Sequence, residues 1–237
     1  MIVGLIPARS GSTRVKDKNI RLLKGYPLMA WAIAASKMCD LETIVSTDSM
    51  EYAGIAAEYE ASVLMRPLEI SGEFATDLEY IEHFIENVEC EYIALFRCTT
   101  PLRWMEFINK TIDLYRNWFP LWPENSTSVR TVSQTREPVE KYLHFGDDGY
   151  SLCGIGRTVD EANLPSQGFK STWLPNGELD IIKAKTVRGG SLFGDRPSGL
   201  VCHYVPEIDT EEDFDYIEWR LEKYGSPVYD YLKQTRT

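Results

Sequence analysis

A chain of 237 residues with 43% apolar and 26% charged residues has ordinary globular composition, long enough to bury a sizeable core and too apolar to be mainly disordered. Its net charge of −11 repels nucleic acid and anionic membranes alike, so neither is expected as a partner and a small molecule is favoured. Five cysteines without a Cys-x-x-Cys pair suggest neither a disulfide framework nor a zinc ribbon and fit a reducing cytoplasm, while no apolar run reaches the roughly 18 residues of a membrane span and no signal-peptide stretch opens the chain.

Ile2 to Ile6, closed by Pro7, reads as a buried parallel strand, and a glycine- and cation-rich loop follows it. Leu28 to Cys39 reads as a helix, Thr43 to Ser46 as a β-branched strand, Tyr52 to Tyr59 as a helix and Ser62 to Met65 as a short strand. Thr76-Asp77-Leu78-Glu79 has the form of a capping box opening a helix with Leu78, Ile81, Ile85 and Val88 at helical spacing. Tyr92 to Phe96 is the next strand, and a helix from about Trp104 to Trp118 follows the block Arg97 to Arg103.

From 125 to 172 the pattern changes to short β-like pieces with turn signals such as Gly146-Asp147-Asp148-Gly149, read as an inserted hairpin region and a candidate dimerisation arm. Gly177 to Ile182 and Leu200 to Val205 return to strand character, and Thr210 caps a helix with Phe214, Ile217 and Leu221 on one face. The alternation predicts one α/β domain over 1–237, a three-layer α/β/α sandwich around a mostly parallel sheet, with ligands at the carboxyl ends of its strands.

The loop Ala8-Arg9-Ser10-Gly11-Ser12-Thr13-Arg14-Val15-Lys16-Asp17-Lys18-Asn19 sits at that edge. Residues 9–24 hold six lysines or arginines against one acid. An even spread of the chain's cations would place about two there, so an anion is expected at this loop. Small residues at 10–13 let the backbone approach a phosphate, and Arg9, Arg14 and Lys18 can neutralise a triphosphate. A solvated basic turn is the plainer alternative, and the P-loop pattern is absent.

The stretch from Ile6 to Leu28 resembles the start of the CMP-sialic acid synthetase (acylneuraminate cytidylyltransferase) family, which has a nucleotide-diphospho-sugar transferase-like fold. Further blocks agree in order: Ser46-Thr47-Asp48, Arg66-Pro67, Thr99-Thr100-Pro101-Leu102-Arg103, Asn176-Gly177 and Asp209-Thr210 with Asp213-Phe214. The resemblance implies a magnesium-dependent enzyme, acting as a homodimer, that transfers CMP from CTP to an acidic acceptor of the sialic, legionaminic or pseudaminic type. It assigns Arg9, Ser12 and Lys18 to the triphosphate, with Arg14 beside them from the charge of the loop, Asn19 to the nucleoside, and Arg66, Ala75 and Asp77 to cytosine. Arg9, Lys18 and Asp209 would carry catalysis; Glu207 and Asp209 would share Mg2+, alternate residues of an extended segment pointing to one face. Arg97, Thr99, Arg103, Asn176 and Gly177 fall at the acceptor.

Two departures stand out. The family more often has Asp where this chain has Glu207, and Gln where it has Arg97. Arg97 offers a rigid fork suited to a carboxylate, phosphate or phosphonate; alternatively it pairs with an acid such as Asp77 or Glu106. Glu178-Leu179-Asp180 is also unusual beside Asn176-Gly177. Alternatives are therefore a same-fold enzyme acting on an octulosonic, phosphorylated or phosphonate acceptor, or a CTP-binding protein that has lost catalysis. Cys98 reads as a packed small residue, and His83, His144 and His203 lack metal-ligand spacing. Trp118, Phe119 and Trp122 read as core or dimer-interface aromatics.

Overall fold

The computed structural model describes residues 1–118 and 126–235. Its first half comprises β1 (Ile2–Pro7), a hairpin of β2 (Leu22–Leu23) and β3 (Tyr26–Pro27), α1 (Leu28–Lys37), β4 (Glu42–Thr47), α2 (Met50–Glu58), β5 (Ser62–Met65), α3 (Asp77–Asn87), β6 (Tyr92–Leu95) and α4 (Met105–Trp118). The second comprises β7 (Ser128–Gln134), β8 (Leu143–Phe145), β9 (Leu152–Gly154), α5 (Val159–Ala162), β10 (Trp173–Lys183), α6 (Ala184–Arg188), β11 (Pro197–Val201), α7 (Glu211–Tyr224) and α8 (Pro227–Thr235).

Among the described residues the main sheet has seven strands in the order β11-β7-β10-β6-β1-β4-β5. Every neighbouring pair is parallel except those that β10 makes with β6 and β7. The apolar run of β1 serves both faces because side chains alternate along a strand. Val3 and Leu5 join a cluster with Phe84 of α3 and Val187 of α6, whereas Ile6 packs with Trp31 of α1, Ile108 of α4 and Phe214 of α7. That is the expected mostly parallel, three-layer arrangement.

Residues 28–36 of α1 are all buried, so this helix has no solvent face and lies in the middle of its layer. It comes so close to β1 that a Cβ on Gly4 would lie 2.0 Å from Ser36 Oγ; no other residue fits there. The turn before it, Lys24-Gly25, has φ of 48° and 83°, the pair of positive values that a two-residue hairpin favours.

Capping boxes form at Thr76 with Glu79 and at Thr210 with Asp213. The sequence reading missed α8, although Ser226-Pro227 carries a helix-start signal; it buries Val228 and Leu232, and Tyr229 stacks on Trp31 at 5.6 Å between centroids. The expected strand over Leu200 to Val205 is displaced: β11 ends at Val201 and residues 202–209 carry no regular structure. The 125–172 stretch divides. Ser128–Gln134 belongs to the main sheet, while β8 and β9 pair only with each other. Phe119 and Trp122 lie outside the described residues, as does the side chain of Trp118.

Candidate active site

Four parallel strands deliver the site at their carboxyl ends: the cation loop after β1, Asp48 after β4, Arg66 after β5 and Arg97 after β6. This is where open α/β sheets bind ligands. Here a cavity of about 250 Å³ is lined by Arg9, Ser12, Arg14, Lys18, Asn19, Arg66, Ala75 and Asp77, all the residues expected at the nucleotide, together with Arg97 and Thr99. Sequence reasoning missed Thr13 and Tyr80, which also line it.

The cation loop is tied down from the next strand. Asp48 accepts from the Ser10 amide at 2.7 Å and from its hydroxyl at 2.6 Å. Burial pushes the Asp48 carboxyl upward, but the Ser10 bonds and the nearby Arg66 more than offset this and hold it below the usual carboxylate range. Asn19 closes the loop by donating to Arg9 O at 2.9 Å. Arg9 turns back on the carbonyls of Ser10 and Gly11, at 3.2 Å each.

Arg66 is only 6% exposed. It donates to Ser46 Oγ and Ser46 O, both at 3.2 Å, and its guanidinium lies 4.5 Å from the centroid of the Tyr80 ring. Burial lowers its pKa, yet an arginine stays charged there. Lys18 bridges to the far end of the chain, donating to Ile208 O and Asp209 Oδ1 at 3.1 Å each. Arg14 approaches the same Asp209 oxygen at 3.3 Å. Two further cations of this region are also engaged by α7: Arg21 pairs with Glu211, and Lys24 with Glu222 at 2.7 Å and Glu218 at 3.6 Å.

The carboxylates of Glu207 and Asp209 stand near each other although no strand holds them. Ile208 between them is buried and its amide bonds to Thr99 O at 2.8 Å. The Glu207 carboxyl is pushed upward by burial first and by Asp209 second. Among the described residues no cluster of three or more His, Cys, Asp or Glu side chains could hold a metal ion. The two carboxylates nonetheless fit magnesium: it favours one or two protein carboxylates completed by phosphate oxygens and water, and a cation between these two acids would relieve the repulsion that raises Glu207.

On the acceptor side the expected residues separate. Arg97 Nη2 meets Asp77 Oδ2 at 2.5 Å and Asp180 Oδ2 at 3.7 Å, so it has acid partners as well as cavity exposure. Arg103 is 2% exposed, and its guanidinium donates to the carbonyls of Arg97, Thr100 and Glu178. It therefore clamps the strand-to-loop corner and does not line the cavity. Asn176 is likewise structural in its contacts: it accepts from Thr131 Oγ1 and donates to Ser133 Oγ, at 2.7 Å each.

Gly177 has φ of 64° where the register of β10 against β7 shifts. A Cβ there would lie 2.8 Å from Thr100 Oγ1 and 3.1 Å from Glu207 Oε1, which ties this irregular step to the carboxylate pair.

Glu178 is fully buried; Oε1 accepts from the Trp104 amide and Oε2 has no partner. Burial pushes its carboxyl up to about 7 against the pull of Arg103. A raised pKa in the folded state means that protonation favours folding. Its contribution is complete below about 4.5 and is lost as pH rises through about 7. Glu178→Gln keeps the acceptor for Trp104 and removes the titration. Urea midpoints from about pH 5 to about pH 8 should therefore fall more steeply for the unmodified chain than for the variant; parallel curves would refute the assignment.

Cys98 behaves as read, a buried thiol pushed up to about 12 with Sγ 3.7 Å from Pro7 O. All five cysteines are free thiols. No helix among the described residues is long and apolar enough to cross a membrane.

Known proteins resemble this chain in sequence or in fold. The N-acylneuraminate cytidylyltransferase of Escherichia coli is 36% identical over 222 residues, covering 91% of this chain and 50% of that protein. That of Streptococcus agalactiae is 29% identical over 221 residues, covering 90% and 51%. The chain thus spans about half the length of these relatives. The structure of CMP:2-keto-3-deoxy-manno-octonic acid synthetase complexed with CTP superposes with a TM-score of 0.68 at 11% identity, over 94% of this chain and 98% of that one, a likeness of fold. A family model described as cytidylyltransferase matches residues 3–143. Because that match takes in more than half of the chain, including the cation loop and Arg66, Asp77 and Arg97 of the cavity, the chain belongs to the cytidylyltransferase family.

Proposed function

We propose that this chain transfers CMP from CTP to a nonulosonic acid of the sialic, legionaminic or pseudaminic type and releases pyrophosphate. The observation that carries the reading is the convergence of the cation loop, Arg66, Ala75 and Asp77 on one cavity at the strand ends. The names of the relatives matched over nine-tenths of the chain support a sialic-type acceptor.

An acceptor hydroxyl oxygen attacks the α-phosphorus, the bond to pyrophosphate breaks, and the hydroxyl proton leaves to solvent or a base that no residue here identifies. Arg9, Arg14 and Lys18 hold the triphosphate against its own repulsion, and Asn19 and Asp77 orient the nucleoside. Glu207 and Asp209 would hold magnesium, which supplies charge neutralisation of the phosphates when bound.

The acids around Arg97 bear on the acceptor's charge. With Asp77 and Asp180 already beside it, its field suits a monoanionic carboxylate better than a dianionic phosphonate. The arm reading is supported by nine exposed large apolar side chains between Val139 and Leu164, among them Phe145 and Tyr150, since so large an apolar surface suits a second copy of the chain. The free thiols and the use of CTP suit the cytoplasm.

Pyrophosphate release is measured with CTP and magnesium against sialic, legionaminic, pseudaminic and octulosonic acids and phosphonates. Release with a nonulosonic acid is expected; release only with an octulosonic acid or a phosphonate would replace the acceptor assignment, and none with CTP bound would mark a lapsed enzyme.

A further inference from the structure

Four charged side chains form an unbroken row that runs from β7 across β10 to the loop after β6 and the start of α3. Arg130 on β7 makes a bidentate pair with Asp180 on β10, Nε to Oδ1 at 3.0 Å and Nη2 to Oδ2 at 3.2 Å. Asp180 is also 3.7 Å from Arg97 at the end of β6, and Arg97 reaches Asp77 at 2.5 Å. Asp180 and Arg130 are directly opposed residues of the antiparallel pair, and Asp180 is likewise opposite Leu95. The Arg130–Asp180 pair is thus set by sheet register, while Arg97 follows β6 by two residues and Asp77 opens α3. The Asp180 side chain is 3% exposed, and the Arg130 guanidinium is backed by the Phe193 ring at 3.9 Å.

We propose that Asp180, itself fixed by Arg130, is the positioning residue that aims Arg97 at the acceptor's anionic group. The inference rests on the function proposed above. The acid contacts of Arg97 use one nitrogen, Nη2, and among the described residues no hydrogen bond engages Nη1 or Nε. A planar fork held by one corner presents its remaining donors in a fixed direction, and Arg97 lines the cavity. Asp77 holds that corner from the nucleotide side, and Asp180 holds it from beneath the sheet surface. Remove the Asp180 charge and Arg97 retains Asp77 alone, leaving the guanidinium free to rotate about that contact. The nucleotide contacts do not pass through Asp180, so the effect belongs to the acceptor.

The test compares steady-state kinetics of the full chain and its Asp180→Asn, Arg97→Gln and double variants, with N-acetylneuraminate as the acceptor probe. Asp180→Asn should raise the acceptor KM about tenfold with the CTP KM within about twofold, and the effect should shrink to about twofold or less in the Arg97→Gln background. An equal effect of Asp180→Asn in both backgrounds overturns the proposal, because a structural role does not depend on Arg97. Arg130→Gln, which leaves the Asp180 charge but unfixes it, should give a smaller rise of the same kind. CTP binding by calorimetry verifies that each variant is folded. If Asp180→Asn alone does not fold, an Arg130→Gln rise that persists in the Arg97→Gln background overturns the proposal in its place. Absence of turnover in the unmodified chain with every acid would instead defeat the proposed function.

Discussion

Lys18→Ala should lower kcat for pyrophosphate release by roughly 100- to 1,000-fold, the usual loss when one fixed donor to a developing charge is removed. The Lys18 amine is mostly buried, at 13% exposure, and is held by Ile208 O and Asp209 in the wall of the cavity. In the proposed function it would face a triphosphate with little solvent screening and little freedom to lose on binding. Arg14 does not replace it: its side chain is 69% exposed, and a solvated cation contributes far less. The fold should survive, since the carboxylate that Lys18 meets is 41% exposed and such a pair is worth less than about 1 kcal/mol. Asp209→Ala should cause a comparable fall in kcat with a raised requirement for magnesium. Pyrophosphate assays over a magnesium series, beside thermal melts, decide the matter; full activity in either variant would remove that residue from the site.

Arg103→Ala is expected to act through stability, by about 3–5 kcal/mol, as for a buried charge removed from its partners. Three carbonyls would lose the guanidinium's donors, and the buried Glu178 carboxyl would lose the nearby cation. Burial lowers the Arg103 pKa to about 10 even beside Glu178, still above neutral pH, so the guanidinium is charged and its removal strips a buried cation from its partners. The corner from Arg97 to Thr100 should loosen too, lowering activity in whatever fraction stays folded. Urea unfolding with and without CTP is the measurement, and a loss below about 0.5 kcal/mol would show that the clamp is dispensable.

The sheet was legible because its information is local. The runs at Ile2 to Ile6 and Tyr92 to Phe96, and the capping residues Thr76 and Thr210, each contain their own signal. The lining of the cavity was legible through the resemblance, whose motifs lie at the strand ends. What could not be read depends on register. Asp180 meets Arg130 across 50 residues and Arg97 lies between Asp77 and Asp180, and no spacing rule pairs residues on strands whose order is unknown. Arg103 stood in a motif beside acceptor residues, yet burial and its three carbonyl partners give it another task. Asp48 was quoted as part of a motif without a role, because its task is to hold Ser10 across 38 residues.

The cations near the start of the chain find their partners almost at its other end. Arg14 and Lys18 meet Asp209, Arg21 meets Glu211, and Lys24 meets Glu218 and Glu222, sequence separations of about 190 residues that make for slow, high-contact-order closure. During synthesis the loop emerges long before these acids do and carries its positive charge without them until α7 leaves the ribosome. An anion that binds the loop in that interval would act as a folding aid, and refolding should quicken with added triphosphate at low salt, where screening is least.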